Sequence, residues 1–544
     1  SIVNISNGEV TVGKIAQERL ITDPENTFKE FKRHMGTKKE YWLKNRLKAY
    51  NAEDLSALVL RQLKLDAENY LGESVEEAII SVPAYFNDKQ RNATRKAGRL
   101  AGFRVERLIN EPSAAAMAHR LGDMSRPSTY FIFDFGGGTL DVSIVEAFEN
   151  IVEIQAVAGD NMLGGKNFNE AIAMNFCKKN NLDPGYLSLE SKAVILRQAE
   201  LCKIELTTNN ESKRIIRIED KEYTMEMTNQ ELINISAQIF VRMTKPIQRA
   251  INDGEIDLSE IDEVILVGGS SKMPVVHHYI NSLFESEVIS DENPDEVVAL
   301  GAGVVTGIKS RDLGIKDMIL SDICPFTLGI KLINNKMSPI IESNSILPCS
   351  KSNIYNTVSD MQDMITVAIY QGEELKADQN LLLKTFDFPV KPKPAGESVI
   401  NVKFTYDING IFDIEVKSLT DDNQMSERII SKELKENEAN IEARIKELEK
   451  LKIPLEELNE NKLLIERGER LYVEASSSQK VIIVQVLDQF KAALESQKQN
   501  KIRKEYIRTA SVLSKMENML FHFSDFDADF WNQDFDNENE YEDN

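Results

Sequence analysis

The stretch that most constrains this chain is Phe131–Ser143, where an apolar run enters three consecutive glycines and a second apolar run follows them. Consecutive glycines, here Gly136, Gly137 and Gly138, leave backbone N–H groups bare and free to face an anion. Asp134 and Asp141 flank the turn, where carboxylates can hold the water ligands of a magnesium ion, and Thr139 offers a hydroxyl to a phosphate oxygen. The pattern favours a phosphate-binding turn between two strands over a ligand-free β-turn.

The length and composition of the chain exclude several classes of protein. A length of 544 residues predicts three or four domains, and a net charge of −23 argues against a nucleic acid or an anionic membrane as partner. No apolar run is long enough to span a bilayer, and no G-x-x-x-x-G-K-[ST] segment is present, which argues against a P-loop enzyme. The cysteines stand far apart and predict reduced thiols in a cytoplasmic protein: Cys177, Cys202, Cys324 and Cys349.

Strand and helix patterns alternate from the start of the chain to about residue 312. Two further glycine turns follow predicted strands, one around Gly164 and Gly165 and one at Gly268 and Gly269. Residues 171–251 read as mostly helical, and Pro294 is expected to open a later helix. This order predicts a two-lobed α/β nucleotide fold with its ligand in the cleft between the lobes.

The residue pattern of the remaining chain changes twice. From Cys324 to about Leu419 apolar residues recur with a period of two, and Asn409-Gly410 predicts a hairpin turn. Residues 431–520 are rich in Glu, Lys, Leu and Ile and predict an antiparallel helical bundle. Residues 521–544 combine acidic and aromatic side chains without Lys or Arg, which is typical of a disordered tail, although docking of these aromatics on an apolar groove is the alternative.

Several motifs in one order resemble the DnaK family, the seventy-kilodalton heat-shock chaperones. The matching segments are Val82–Asp88, Ile109–Pro112, Asp134–Asp141, Gly159–Gly165, Ile265–Gly269 and Asn293–Glu296. Each motif alone is weak, but six in the family's order are specific. The segments Asp322–Phe326, Ser338–Glu342 and Tyr370–Glu373 are closer still to the short-lid bacterial branch that includes HscC.

The resemblance implies a multidomain fold of α/β, β and α parts. Residues 1–312 would form an actin-like nucleotide-binding domain, 313–322 an interdomain linker, and 323–423 a β-sandwich that binds extended peptide. Residues 424–520 would form a helical lid, and 521–544 the acidic-aromatic tail. The implied activity is ATP hydrolysis, assisted by Mg²⁺, that is coupled to the binding and release of unfolded client peptides.

The resemblance also assigns roles to individual residues. Lys32, which its own stretch would place on a solvated basic helix face, matches the lysine that orients the attacking water. The implied catalytic group is Lys32, Glu111, Asp134, Thr139 and Asp141, with Asp134 and Asp141 on the magnesium side through water. The implied ATP or ADP contacts are Gly136, Gly137, Gly138, Gly164, Gly165, Glu200, Lys203, Gly268, Gly269, Lys272 and Asp295.

Further residues are implied in peptide binding and in coupling between domains. The peptide-groove positions are Ile330, Ile333, Tyr355, Val358, Ile365 and Val367. The coupling positions are Pro83, Arg91, Arg107 and Asp322, of which Arg107 matches the arginine that meets J-domain co-chaperones. A nucleotide-exchange factor is a further expected partner.

The chain departs from the family's pattern at its start. Family members begin with a strand and an Asp-x-Gly-Thr-Thr turn that forms the other half of the phosphate clamp, and this sequence starts after them at Ser1. We therefore expect an N-terminally truncated family member with impaired hydrolysis, and an ATP-independent peptide-binding protein stays open as the alternative. A sugar kinase of the same superfold would have no use for the region after residue 322.

Overall fold

A computed structural model describes most of the chain. The described residues are 1–45, 47–122, 126–218, 221–284, 293–311, 318–407, 412–421, 423–429, 438–451, 456–496 and 498–521. The Asn409-Gly410 turn, residues 313–317 of the expected linker, the start of the expected lid and the acidic-aromatic tail beyond residue 521 lie outside them. A search of the described helices finds none with the length and apolarity needed to cross a membrane.

The first part of the chain folds around one apolar core. Its elements are β1 (Ile2–Ser6), β2 (Glu9–Val12), α1 (Lys14–Thr22), β3 (Thr27–Lys29), β4 (Tyr41–Trp42), β5 (Ala49–Tyr50), α2 (Ala52–Leu71), β6 (Glu77–Val82), α3 (Asp88–Leu100) and β7 (Arg104–Asn110). The strands form the sheet β2-β1-β3, the pair β4-β5 and the parallel pair β6-β7. We call the cluster that includes Val3, Phe31, Leu55, Leu58 and Leu108 the first core.

Side-chain caps fix where the helices of this part begin. Asn51 accepts a hydrogen bond from the Asp54 backbone N–H at 2.8 Å, and Asp54 accepts one from the Asn51 backbone N–H at 3.0 Å. Asn87 and Gln90 form the same reciprocal pair at the start of α3. These capping boxes satisfy N–H groups that have no partner within the helix.

The middle of the chain is built on a five-stranded sheet. Its elements are α4 (Glu111–Gly122), β8 (Ser128–Phe135), β9 (Leu140–Phe148), β10 (Ile151–Asp160), α5 (Gly165–Lys179), α6 (Leu189–Glu205), β11 (Glu211–Ile218), β12 (Lys221–Thr228), α7 (Asn229–Ile235), α8 (Ala237–Asp253), β13 (Glu263–Val267), α9 (Pro274–Asn281) and α10 (Val297–Ser310). The strand order is β13-β8-β9-β10-β14, with β14 supplied by Ile319–Ser321. We call the cluster that includes Phe131, Phe133, Leu140, Ile172 and Ile195 the second core.

Two sequence expectations for this part need correction. The expected helical region 171–251 contains the hairpin β11-β12, in which Ile216, Ile218, Met225 and Met227 are buried. These apolar side chains alternate with polar ones, so the period of two outweighs helix propensity there. The later helix begins at Val297 and not at Pro294.

The final residues of the expected linker form a strand on this sheet. In β14, Ile319, Leu320 and Ser321 pair in parallel with Ile151, Val152 and Glu153 of β10. Met318 just before it is buried. Because β14 leads directly to Asp322 and Ile323, the pairing holds the start of the following region against the five-stranded sheet.

The period-two region forms two antiparallel sheets around one core. Its strands are β15 (Leu328–Lys331), β16 (Met337–Ile341), β17 (Cys349–Asn356), β18 (Met364–Gln371), β19 (Leu381–Pro389), β20 (Val399–Tyr406), β21 (Phe412–Ser418) and β22 (Gln424–Ile429). The sheet orders are β16-β15-β18-β19 and β17-β20-β21-β22. Side chains of both sheets, such as Ile369 and Phe404, meet in one buried cluster. We call β15–β22 the β-region.

Four helices close the described chain: α11 (Glu438–Glu449), α12 (Glu456–Glu474), α13 (Ser477–Glu495) and α14 (Gln499–Phe521). The α11 helix packs against the first core through Ile441 and Leu448. Its Arg444 donates to both carboxylate oxygens of Asp54 at the start of α2, at 2.8 Å for Nε. Helices α12–α14 share a separate apolar core, and we call them the C-terminal bundle.

Candidate functional site: a glycine-walled cleft with three carboxylates and a lysine

The glycine turn of residues 136–138 joins β8 to β9 and places two acids side by side. The antiparallel register sets Asp134 directly opposite Asp141. Both carboxylates are buried, as is Thr139 beside them. Because the hairpin fixes this pairing, the sequence prediction of two carboxylates at one turn holds in the folded chain.

The other glycine turns pack directly against this one. A Cβ on Gly164 would lie 2.5 Å from the backbone nitrogen of Gly138, and one on Gly268 would lie 2.7 Å from the carbonyl oxygen of Phe135. Gly268 also has a φ of +83°, a conformation that favours glycine. The Gly165 backbone N–H donates to the Gly136 carbonyl at 3.0 Å. Larger residues at these positions would push the turns apart.

Lys32 enters the cleft from the first core. It lies in a short 3₁₀ turn, Phe31–His34, in which Phe31 and Arg33 are buried and Lys32 points away from the core. Its Nζ donates to Glu111 Oε1 at 2.8 Å and lies 6.0 Å from the centre of the Phe86 ring. The folded chain therefore brings Lys32 to the acids at the cleft, not to the solvated helix face that its local sequence favours.

The buried acids raise one another's proton affinity. Burial, together with the charges of Glu111 and Asp141, raises the pKa of Asp134 well above its usual value. Burial and the charge of Glu111 raise the pKa of Asp141 to about 7. For Lys32, burial opposes the charge, but the attraction of Glu111 outweighs it and raises the pKa. Solvent in the open cleft still reaches 47 % of this lysine side chain.

The donor set fits a hard cation. Asp141 accepts the Tyr85 backbone N–H at 2.9 Å through Oδ1, whereas its Oδ2 is buried without a hydrogen-bond partner in the described part of the chain. Carboxylate oxygens are the protein ligands that Mg²⁺ prefers, and a bound cation would favour the ionised form of these buried acids. Asp134 and Asp141 could therefore hold Mg²⁺ directly or through its water ligands.

The cleft encloses a cavity of about 310 Å³. Its walls include Lys32, Glu111, Asp134, Gly136, Gly137, Gly138, Thr139, Glu200 and Lys203. Lys203 is half-buried, and burial lowers its pKa despite the nearby charge of Glu200. A Cβ on Gly165 would lie 3.0 Å from the Lys203 Nζ, which places this lysine against the second glycine turn.

The remaining expected nucleotide contacts lie next to this cavity and not on its wall. Lys272 Nζ and Asp295 Oδ2 are 2.6 Å apart in a half-exposed ion pair. A Cβ on Gly269 would lie 3.2 Å from Asp295 Oδ1, so this pair stands over the third glycine turn. The three glycine turns thus form one continuous wall that leads from the acids to the Lys272–Asp295 pair.

Sequence reasoning missed Arg33. Its side chain is 7 % exposed, lines the cavity, and has Nε and one Nη nitrogen without hydrogen-bond partners in the described chain. A Cβ on Gly138 would lie 2.8 Å from Arg33 Nε, so the guanidinium stands directly over the first glycine turn. A buried guanidinium with unused donors suits a phosphate oxygen. The Lys32-Arg33 dipeptide was the available signal.

A second polar group joins the start of the β-region to the end of β7. Asn110 donates to both carboxylate oxygens of Asp322 at 2.7 Å, and Arg91 donates to Asn110 Oδ1 at 2.6 Å. Burial raises the pKa of Asp322, and Arg91 is the largest opposing influence. Pro83 is buried at the end of β6, and Arg107 is half-buried, with no hydrogen-bond partner for its Nε among the described residues.

The loop after β6 contacts both the acidic cleft and the β-region. The Tyr85 ring lies 4.4 Å from the Phe326 ring, and its hydroxyl accepts from Arg249 at 2.9 Å. Asp88 Oδ1 accepts from the Tyr406 hydroxyl at 2.9 Å, and its backbone N–H donates to Gln371 at 3.1 Å. Sequence reasoning did not single out these partners, because each contact joins residues far apart in the chain.

The six expected peptide-groove residues have unequal exposure. Ile330 and Val367 are buried in the core of the β-region, and Tyr355 and Ile365 are half-buried. Ile333 and Val358 are 81 % and 55 % exposed. In this conformation Ile333 and Val358 are open to a peptide, and Tyr355 and Ile365 are open in part.

The chain combines α/β sheets around a glycine-walled, acid-lined cleft with a β-region and a helical end, and this mixed content with several sheets is consistent with a multidomain ATPase. The family model described as Hsp70 protein matches residues 1–522. The chain therefore belongs to the Hsp70 family. Proteins of this family bind ATP or ADP with Mg²⁺ and bind unfolded client peptides together with co-chaperones.

Proposed function

We propose that this chain is an ATP-dependent chaperone in which Mg-ATP hydrolysis in the cleft controls the binding of extended apolar peptides by the β-region. The observation that carries the proposal is the convergence of Lys32, Glu111, Asp134 and Asp141 on a wall of three glycine turns. The resemblance of the motifs around Asp322 supports placement in the short-lid bacterial branch.

Each residue at the cleft has its own role in phosphoryl transfer, which depends on positioning and charge stabilisation. Bound Mg²⁺ supplies neutralisation of the phosphate oxygens. The backbone N–H groups of Gly137 and Gly138 and the Thr139 hydroxyl would face the phosphates, whereas the N–H groups of Gly136, Gly165 and Gly268 donate to backbone carbonyls. Glu111 holds Lys32 at 2.8 Å, which keeps the ammonium where it can orient an attacking water. Arg33 supplies a second cation above the turn at Gly138.

Three contacts support coupling between the cleft and the β-region. Tyr85 touches Asp141 by its backbone and Phe326 by its ring. The Arg91–Asn110–Asp322 chain and the pairing of β14 hold the β-region against the nucleotide part. A nucleotide that alters the position of Asp141 therefore acts on the β-region, and peptide binding acts back on the nucleotide by the same free energy.

The expected partners follow from the same proposal. Arg107 stands beside Asp322 and is the contact that we propose for a J-domain co-chaperone. A nucleotide-exchange factor would act on the cleft, and unfolded clients in the cytoplasm would supply the peptides.

Replacement of the cleft lysine tests the catalytic proposal. Lys32→Met removes the ammonium that Glu111 positions, so single-turnover hydrolysis of Mg-ATP should fall about a hundredfold or more, while binding of Mg-ATP by calorimetry changes less than about tenfold. Lys38→Met, at an exposed lysine in the same segment, is the matched control and should hydrolyse at the parent rate.

Two other results would contradict parts of the proposed function. Hydrolysis by Lys32→Met at the parent rate would contradict the role of this lysine. A parent chain that binds peptide but gives no heat with Mg-ATP would contradict the ATP cycle and support an ATP-independent peptide-binding protein.

A further inference from the structure

The C-terminal bundle lies along α1, and a fully buried arginine stands in that contact. Arg470 in α12 is 2 % exposed. Its guanidinium donates to Glu18 in α1 and to Glu474 and Glu517 within the bundle, at 2.7 Å for Glu474. A buried guanidinium is stable only when its partners stay in place, since an unpaired buried charge is costly. The network therefore fixes α12 on α1.

Two further contacts extend this attachment to the first sheet. Arg19 of α1 donates to Glu466 of α12 and, at 2.7 Å, to the Asn4 side chain in β1. Lys462 of α12 and Glu9 of β2 are 2.8 Å apart. The bundle is thus joined to the part of the molecule that carries Lys32.

The same helix is also joined to the other side of the cleft. Gln198 in α6 is 1 % exposed, donates to Glu474 at 2.8 Å and accepts from Arg214 of β11 at 2.8 Å. Val473 packs against the second core, and α14 contacts β11. Glu474 therefore bonds both to Arg470, which holds α1, and to Gln198, which belongs to α6.

The two helices that the bundle joins both form walls of the nucleotide cleft. Leu20 of α1 and Glu200 and Lys203 of α6 all line the cavity, and α1 also contacts α6 directly. Gln198 precedes Glu200 by two residues, and Glu18 precedes Leu20 by two. Any opening that separates α1 from α6 must break bonds to α12 on one side or the other.

We propose that the C-terminal bundle is an intramolecular brace that holds the cleft closed and slows the release of bound nucleotide. The proposal rests on the proposed binding of nucleotide in this cleft. As a brace, the C-terminal bundle has a regulatory role that is separate from covering a bound peptide. Detachment of the bundle from α1 or α6 speeds nucleotide exchange.

Nucleotide release from the full chain tests the brace. A fluorescent ADP analogue is bound with Mg²⁺ and chased with excess unlabelled ADP in a stopped-flow instrument. Glu18→Gln loosens the first side and keeps the Arg470 bonds inside the bundle, and Glu474→Ala loosens the second side. Each variant should release the analogue about tenfold faster than the parent, the change that corresponds to 1.4 kcal/mol. Glu469→Gln is the matched control, because Glu469 pairs with Lys491 inside the bundle at 3.3 Å, and it should leave release unchanged.

Hydrogen exchange of the nucleotide-free chains gives a readout that does not depend on nucleotide. The amides of α1 and α6 should exchange several-fold faster in Glu18→Gln and Glu474→Ala than in the parent or in Glu469→Gln. Parent-like release and parent-like exchange in both variants would overturn the brace. If the parent binds no analogue, the proposed nucleotide function fails, and faster exchange in the variants alone would then still support the brace, whereas equal exchange would overturn it.

Discussion

At the scale of single residues, the central feature is a group of buried acids with too little positive charge around them. Asp134 and Asp141 face one another across the β8-β9 hairpin, and Lys32 lies beside them through Glu111. The nucleotide-free site is therefore held at a cost in stability, which bound metal and nucleotide would offset. Sites with perturbed carboxylates in a cleft are often the functional ones.

Asp141→Asn should stabilise the nucleotide-free protein at neutral and alkaline pH. The pKa of this group is about 7 in the folded chain and near its ordinary 3.8 when unfolded. The folded state thus holds more protons between these values, and the free energy of unfolding falls as pH rises through that window. Removal of the charge should raise the free energy of unfolding at pH 8 by up to about 4 kcal/mol.

Urea unfolding at pH 4 and pH 8 checks this prediction. The gain for Asp141→Asn should be present at pH 8 and largely absent at pH 4, where the parent carboxyl is protonated in the folded state and still partly protonated in the unfolded state. Asp363→Asn, at an exposed acid, serves as the control and should change neither value. An equal gain in the free energy of unfolding at both pH values would show that removal of the Asp141 charge does not cause the gain.

At the scale of secondary-structure elements, β14 is the shortest strand of the central sheet and the one that leads into the β-region. Leu320 is half-buried and packs against the core under the sheet, whereas the neighbouring Ile319 is 57 % exposed. The two residues form a matched pair on one strand, because successive side chains of a strand point to opposite faces.

Leu320→Asp should uncouple the β-region from the cleft. A carboxylate at this buried position opposes pairing of β14 with β10, so added ATP should alter peptide affinity by less than about half of the change seen in the parent. Ile319→Asp should retain the parent response. Fluorescence anisotropy of the peptide, with and without ATP, measures the response of both variants. An unchanged response in Leu320→Asp would argue against coupling through this strand.

The exposed end of the β-region carries the peptide proposal. Val358→Asp places a charge at a 55 % exposed apolar site and should abolish binding of an extended apolar peptide, measured by fluorescence anisotropy. Ile365→Asp should have the same effect, with a larger loss of stability because this residue is half-buried.

A neighbouring residue provides the control for the peptide experiment. Ile354 is 66 % exposed on β17 but points to the opposite face of its strand from Tyr355, so Ile354→Asp should bind peptide as the parent does. Peptide binding by Val358→Asp equal to that of the parent would show that the groove lies elsewhere.

At the scale of the whole molecule, the fold joins one cleft to two distant regions, the β-region through Tyr85 and β14 and the C-terminal bundle through Arg470 and Glu474. The bundle contacts both sides of the cleft, and the β-region contacts the loop beside Asp141. On the function proposed above, nucleotide in the cleft is therefore linked to the β-region by one set of contacts and to the C-terminal bundle by another.

The sequence predicts what lies within one hairpin or one turn. Asp134, the glycines and Asp141 could be placed because a strand–turn–strand pattern of adjacent residues fixes their geometry. Arg33 could not, since its burial depends on Gly138, which folds over it from another part of the chain. The β11-β12 hairpin was missed because helical composition around it masks an alternation of only a few residues.

Contacts between regions were the least predictable from sequence. The bond between Asp88 and Tyr406 joins a helix start to a distant strand, and nothing in either segment alone indicates its partner. The same holds for Arg470, whose charge reads as part of a solvated helix face until Glu18 of α1 and Glu517 of α14 pair with it. Such contacts depend on how the regions pack, which local periodicity does not encode.

The most direct test of this account is the affinity of the full chain for an extended apolar peptide, measured by fluorescence anisotropy in saturating Mg-ADP and in saturating Mg-ATP. The account predicts that the dissociation constants in Mg-ADP and in Mg-ATP differ by about tenfold or more. Equal constants in both states, with calorimetry showing that each nucleotide is bound, would contradict coupling between the cleft and the β-region.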